Sequence, residues 1–275
     1  MHKLVFALLI GLYITSFSQD FIPENVFVYN RYTNNMRDKF LPVWQNTIKK
    51  NKIKRETYIS YDIKSQTDQI PTPFDTIVFN YNSEGQLISS VSTSPYPGAE
   101  SAVKLTTNYR YENGHLTGST DSKGNSLQIV RDAKGRITQI KFQGPENELS
   151  GTYHYSGDQL MKVDLGSGDE GSVIVYEENV FIAQDTLSGR TTIGDKYGRI
   201  VYINSETVGL QNLFDPDERL TEAKLNNGGY TELTSFIYNG ELLQEIIFTS
   251  YQGEIGADLK DSRITQSVKT EVQYE

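Results

Sequence analysis

Cysteine is absent from all 275 residues. No disulfide can staple the fold, and no thiolate can serve as nucleophile or metal ligand. Tryptophan occurs once, methionine three times and histidine three times. Positive charge is in the minority, with 26 Lys and Arg against 35 Asp and Glu and a formal net charge of −9. That balance disfavours nucleic acid and anionic membrane surfaces as partners. There is no nucleophile elbow, no phosphate-cradling loop and no dinucleotide fingerprint, so no cofactor is implied. Long apolar runs are missing after the first residues, and nothing past Ser18 is apolar enough to cross a membrane as a helix.

The opening residues are the exception. Met1–Ser18 carries His2 and Lys3, then the apolar run Leu4–Ile14, then Ser16 and Ser18 at the small positions of a cleavage site. These are the parts of a secretory signal peptide cut after Ser18, leaving Gln19 first. A membrane anchor is the alternative, but the run is short for one. With no cysteine following, a lipidated N-terminus is excluded. The expectation is an exported chain, secreted or periplasmic, that does not span a membrane after cleavage.

What the chain does hold is tyrosine, 18 of them, and 22 glycines placed at regular intervals. Residues 19–56 stand outside that regularity. Met36, Phe40, Val43, Trp44 and Ile48 fall at helical spacing behind a possible Thr33-Asn34 cap. Pro42 lies inside the pattern and would break a helix, so a pair of strands with Leu41-Pro42 on an edge is the preferred reading. The basic cluster Lys49, Lys50, Lys52, Lys54 and Arg55 reads as a solvated strand or turn.

Residues 57–275 repeat. Aligned on the apolar residue after each first turn, the anchors are Leu87, Leu116, Ile137, Leu160, Val180, Ile200, Leu220, Leu242 and Ile264. Their spacings are 29, 21, 23, 20, 20, 20, 22 and 22, and the first contains the loop insertion Ser94–Gly98. The turns before them are rich in Asn, Asp, Gly and Ser, which suit tight hairpins. A second set of turns falls half a period later, so strands of about six to eight residues fill the spaces. The predicted fold is therefore all-β, an antiparallel meander of about 18 short strands in ~21-residue hairpin units.

Alternation assigns faces: Thr138, Ile140 and Phe142 against Gln139 and Lys141; Met161, Val163 and Leu165 against Lys162 and Asp164; Thr221, Ala223 and Leu225 against Glu222 and Lys224. Val173–Tyr176 and Arg199–Ile203 are apolar on both faces and suggest a sheet covered on both sides. So many strands cannot lie flat. A coiled, solenoid-like single sheet is favoured, with a large barrel or a two-layer sheet as alternatives.

The units F-N-Y-N-S-E-G-Q-L-I-S-S-V (79–91), Y-R-Y-E-N-G-H-L-T-G-S-T (109–120), V-R-D-A-K-G-R-I-T-Q-I (130–140) and Y-H-Y-S-G-D-Q-L-M-K-V (153–163) resemble YD repeats of the RHS family. Tyr61-Asp62 reads as a remnant of one more unit, and the likeness spans about Thr57 to Ile264. The resemblance implies a spiralling β-sheet, which in large members forms a shell around a toxin. Here nothing non-repetitive follows the last unit. The chain looks similar to short secreted repeat proteins of Bacteroidetes-type bacteria.

Candidate chemistry is sparse. His115 and His154 sit near turns on different phases and lack companion metal ligands. The acidic turns Asp121–Asn125, Gly168-Asp169-Glu170 and Asp215-Pro216-Asp217-Glu218 offer oxygen atoms but not the spacing of a calcium loop. Tyr109, Tyr111, Tyr153, Tyr155, Tyr176, Tyr202 and Tyr238 recur near one repeat position. They form either a structural cross-strand ladder or a row for stacking on sugars. The expectation is an exported, non-enzymatic scaffold for an unknown protein partner or for contacts with the cell envelope. A carbohydrate-binding module for an envelope polysaccharide and a truncated RHS-type shell component are the alternatives.

Overall fold

The computed structural model describes residues 38–63, 73–94, 102–145, 148–165, 170–177, 180–195, 199–205, 208–227, 229–252 and 263–275. The leader-like Met1–Ser18, the Thr33-Asn34 cap, Met36, Pro95–Gly98 of the insertion, Asp169 and the turn Lys260–Ser262 lie outside them.

A 3-10 turn at Asp38–Phe40 leads into helix α1 (Pro42–Lys50). Strands follow: β1 (Arg55–Asp62), β2 (Pro73–Tyr81), β3 (Leu87–Ser94), β4 (Val103–Glu112), β5 (His115–Asp121) and β6 (Ser126–Arg131). The middle of the chain forms β7 (Ile137–Gln143), β8 (Glu148–Ser156), β9 (Gln159–Leu165), β10 (Glu170–Tyr176), β11 (Val180–Asp185) and β12 (Thr191–Asp195). The last are β13 (Ile200–Asn204), β14 (Val208–Phe214), β15 (Leu220–Asn227), β16 (Tyr230–Asn239), β17 (Leu242–Gln252) and β18 (Arg263–Tyr274).

Helix α1 corrects the strand reading of the N-terminal segment. Pro42 does not break the helix because it occupies the first helical turn, where its missing N–H would have had no intrahelical partner. Ile48 is then fully buried and Val43 faces out at 50% exposure.

The fold is an all-β antiparallel meander of 18 strands whose order closes into a single barrel. Sequential strands pair, and β1 pairs with β18 as well as with β2. This corrects the favoured solenoid-like sheet in favour of its barrel alternative. An open meander would leave two edge strands with unpaired backbone groups, and the β1–β18 ladder from Glu56↔Tyr274 to Asp62↔Val268 satisfies both.

Closure also revises the count of units. Eight hairpins run from β2–β3 to β16–β17, and the ninth pair is β18 with β1, which no turn joins. Ile264 is therefore not a ninth anchor: it lies at the opposite end of β18, paired with Tyr251. Tyr274, rather than Tyr61, takes the tyrosine position of the ninth unit. Where Tyr155 faces Leu160 and Tyr238 faces Leu243, Tyr274 faces Glu56. The register moves two other anchors by one residue, from Val180 to Phe181 and from Leu242 to Leu243.

The predicted faces need a second correction. The ladder slips one residue beside the anchor in β5, β9, β13, β15 and β17, just after Arg110, His154, Ile193, Leu213 and Ile237 of their partner strands. A bulge of this kind adds one unpaired residue and changes the phase of alternation. Buried positions therefore lie three apart, as in Ile137/Ile140, Leu160/Val163 and Leu220/Ala223. Met161 is 40% exposed instead of sharing a face with Val163. The hydroxyls of Thr117, Thr138 and Thr221, each just past its anchor, donate to Arg110, Val130 and Leu213 carbonyls across the pair.

Two compact groups of residues carry the cores. One comprises Ile129–Lys141 and Leu149–Glu206, centred on Ile137, Leu160, Val163, Ile174, Phe181 and Ile200. Val173 and Val175 are exposed there, so the described residues do not cover both faces of β10. The other comprises Thr33–Gln128, Phe142–Glu148 and Thr207–Glu275, centred on Ile48, Tyr58, Phe79 and Leu87. Helix α1 belongs to the second group and lies over the β2–β3 turn. A Cβ added to Gly85 would meet the Gln45 carbonyl oxygen at 2.0 Å, and Gly85 has φ +77°.

Gly85→Ala therefore combines left-handed strain with a backbone collision. It should cost roughly 3 kcal/mol or more, against about 1–2 kcal/mol for Gly124→Ala, where φ is +87° but nothing lies nearby. Urea unfolding of both variants measures the difference, and equal costs would mean that α1 does not pack on this turn.

Candidate functional site

The repeating site is a turn. Its first residue is Asp or Asn, its fourth is mostly Gly, and its fifth is Arg, Asn or Gln. In Asp132–Arg136, Asp132 Oδ1 accepts the Lys134 and Arg136 amides at 2.9 and 3.0 Å. Asp132 Oδ2 accepts Arg136 Nε at 2.8 Å. Asp195–Arg199 and Asp215–Arg219 repeat the Arg Nε contact at 2.6 and 2.7 Å. Asn82–Gln86 and Asp121–Asn125 build the same turn with a neutral fifth residue. Burial pushes Asp132 and Asp215 upward, but the Arg side-chain and main-chain hydrogen bonds outweigh it and hold both below the usual carboxylate value of 3.8. Asp121 and Asp185 are held low in the same sense, by Asn125 and Ser188 respectively.

The arginine also reaches the next hairpin. Arg136 donates to the Gly157 carbonyl, approaches Asp158 at 3.3 Å and lies 4.5 Å over the Tyr155 ring. Arg219 donates to the Gly240 carbonyl and lies 5.1 Å over Tyr238. The tyrosines answer in reverse: the Tyr155, Tyr176, Tyr238 and Tyr274 hydroxyls donate to the Ile137, Leu160, Leu220 and Leu243 carbonyls. Successive units are thus tied forward by arginine and backward by tyrosine.

This places the seven candidate tyrosines. Tyr109 and Tyr153 are buried, and Tyr109 shares a hydrogen bond with Ser90 and packs edge-on to Phe40. Tyr111, Tyr155, Tyr176 and Tyr238 are half-buried, and the last three spend their hydroxyls on main-chain carbonyls. Tyr202 is the exposed member, at 38%. No continuous row of open rings results. The Asp–Arg pairs went unread from sequence although their signal, an aspartate four residues before an arginine at 132/136, 195/199 and 215/219, was present.

One site is built from buried charge. The buried β-strand residue in the ninth unit's anchor slot is Glu56, where Leu87, Leu116, Leu160, Phe181, Ile200, Leu220 and Leu243 stand in other hairpins. Glu56 is fully buried, and Lys39 from the 3-10 turn, 3% exposed, meets it at 2.9 Å. Lys39 Nζ also donates to the Tyr58 hydroxyl at 2.6 Å, and the Tyr81 hydroxyl donates to Glu56 Oε2. Burial, then the Glu56 charge, raises Tyr58 and Tyr81 well above the normal tyrosine range. Both therefore remain hydrogen-bond donors at any physiological pH.

Elsewhere the charges are ordinary surface pairs. The basic cluster lies at the end of α1 and its exit, with Lys49 on Glu84, Lys50 on Glu241 and Arg55 on Glu275. His154 contacts Asp164 at 2.7 Å beside Lys162, and His115 opens β5. The Asp121 oxygens are occupied by their own turn, and Asp215 and Asp217 face Arg219. Among the described residues no three His, Asp or Glu side chains converge as metal ligands.

No family model matches the chain, and no curated protein does. Among solved structures, a porin-like protein from Bacteroides uniformis is similar over 81% of this chain and 96% of its own, at 13% identity and TM-score 0.47. The Photorhabdus luminescens Tc holotoxin pore carrying the TccC3-D651A mutation matches 70% of this chain at 14% identity and TM-score 0.31. The TcdB2-TccC3 structure matches 71% at 12% identity and TM-score 0.30. This chain spans only 12% and 13% of those two toxin chains.

Asp121, Asp132, Asp185 and Asp215 have lowered folded values, so their stabilisation is complete above the unfolded value of 3.8. It is lost as pH falls through their lower folded values. A pH titration of urea stability should therefore drop below about pH 4, less steeply in a combined Asp132→Asn, Asp215→Asn variant; an unchanged slope would contradict the assignment. In the buried pair, Lys39→Met or Glu56→Leu alone should cost roughly 3–5 kcal/mol, whereas the double variant should be near neutral or more stable. Additive losses in the double-mutant cycle would count against a direct buried pair.

Proposed function

We propose that this chain is an exported, non-catalytic β-repeat scaffold of RHS/YD type that binds a protein at the cell envelope through the outer face of β10–β13. Export rests on the signal-peptide pattern of Met1–Ser18, and the repeat type on the aromatic–turn–Leu units. A cross-strand apolar row carries the binding reading. Val175 faces Ile182, Ile182 faces Ile193, and Ile193 faces Tyr202. Val175 is 57% exposed and Val173 beside it 44%. The opposite face of these strands is already filled by Ile174, Phe181, Ala183 and Ile203. Ile182 and Ile193 between the exposed Val175 and Tyr202 are half-buried, and a contiguous apolar row of this kind is a feature of interaction surfaces.

The outward positions of other strands mix charged residues such as Arg110 and Lys141 with single apolar ones such as Val130, Met161 and Ile237. A lipid-facing barrel would carry an apolar band there. A tyrosine ladder for glycans is less well supported, because the hydroxyls of Tyr155, Tyr176 and Tyr238 are spent on the main chain.

The test compares wild type, Val175→Glu and the outer-face control Lys141→Glu for retention on isolated cell envelopes, before and after protease treatment of those envelopes. Val175→Glu should retain the fold and lose roughly tenfold in affinity, with Lys141→Glu unaffected and protease abolishing binding. Equal retention of all three, or hydrolysis of a substrate panel lost on one carboxylate substitution, would refute the reading.

A further inference from the structure

We infer that the pocket around Glu56 is a socket for a primary alkylammonium group, filled in this chain by its own Lys39. The geometry divides the recognition between two kinds of contact. The polar contacts are the Glu56 carboxylate at 2.9 Å and the Tyr58 hydroxyl at 2.6 Å from Lys39 Nζ. The ring contacts are Trp44 at 3.9 Å, Tyr58 at 4.9 Å and Phe79 at 5.5 Å from the same nitrogen to the ring centroids. Ring faces within about 6 Å attract a cation through their quadrupole, most strongly when water is excluded. Here both charged partners are almost wholly buried, at 3% and 0% exposure.

The combination selects among cations. A primary ammonium offers three N–H donors on a compact head, which serves the carboxylate and the hydroxyl while leaving its surface against the rings. A quaternary ammonium would keep the ring contacts and lose both hydrogen bonds. A neutral alcohol of the same length would leave Glu56 as an uncompensated buried charge, which is expensive. The walls and the occupant also come from different places. Glu56 and Tyr58 lie on β1, Phe79 and Tyr81 on β2, and Trp44 on α1, while Lys39 enters from the 3-10 turn before the helix. Tyr81 donates to the same Glu56 oxygen, Oε2, that Lys39 meets. The socket's carboxylate and hydroxyls are therefore set by the β1–β2 ladder and not by the lysine that fills them.

The ligand class is a primary alkylamine, lysine side chains included, and in this chain Asp38–Phe40 delivers it. The inference does not depend on the apolar row of β10–β13, and either can fail alone.

Lys39→Ala in the full chain deletes three carbons and the ammonium, the atoms that propylammonium can return. Thermal unfolding of this variant should shift upward by about 3 °C or more in excess propylammonium. Tetramethylammonium and propan-1-ol should give no such shift, wild type should not respond, and Lys39→Ala with Glu56→Gln should lose the response. Should Lys39→Ala not fold by itself, refolding from urea with each additive reads the same property. Propylammonium should then raise the soluble yield several-fold over the other two. Equal effects of all additives, a wild-type response as large as the variant's, or no rescue in either assay would overturn the socket.

Discussion

An antiparallel sheet ends in two rows of unpaired N–H and C=O groups, and in this chain those rows satisfy each other. The pairing of β1 with β18 is what turns a meander into a closed ladder. Its cost is entropic, since it joins residues more than two hundred positions apart. The end where β1 begins and β18 finishes is pinned accordingly. Lys54 and Arg55 amides donate to the Glu275 carbonyl at 2.8 and 3.1 Å, and the Glu275 amide donates to Arg55 at 3.0 Å. The Tyr274 hydroxyl makes the same backward bond to Leu243 that Tyr155 and Tyr238 make to their preceding units. The ninth pair thus uses the repeat's chemistry without the repeat's turn.

Local features were legible from sequence and long-range ones were not. The turns at 82–86, 113–114, 132–136, 157–158 and 215–219 are written in Asp, Asn and Gly, because tight turns demand positive φ or side-chain acceptors. Strand number followed from their spacing. Closure was not readable, since nothing in Arg55–Asp62 names Val268–Tyr274 as its partner. The bulge beside most anchors was also hidden. Met161 and Val163 look like one face until the register slip beside His154 and Tyr155 is known. Pro42 misled because its effect depends on position: the same residue that would break the middle of a helix opens one well.

The candidate residues divide along the same line. The tyrosine position was legible as a repeat, and its structural role depended on carbonyls one hairpin away. The arginines of 136, 199 and 219 went unread because a salt bridge inside a turn looks, in sequence, like two isolated surface charges. Glu56 was invisible for a different reason. Its meaning comes from comparison with Leu160, Ile200 and Leu220 in the same slot of other units, and that comparison exists only once β1 is known to be the second half of a hairpin begun by β18.

The presence of a carboxylate in that slot is an argument about specificity. Leucine would bury there as it does in the other units, and a buried ion pair seldom stabilises more than the apolar group it replaces. What the pair adds is a penalty for every wrong arrangement. If Asp38–Phe40 docked one residue out of place, Glu56 would be buried without a counter-charge, and Lys39 would lie against rings without a carboxylate. The open ninth pair has no turn to hold it, so the segment that covers it must be held by contacts alone. Apolar contacts from Phe40, Leu41 and Ile48 supply burial, but they tolerate sliding. The Lys39–Glu56 contact does not, and it converts a greasy lid into one with a single seat.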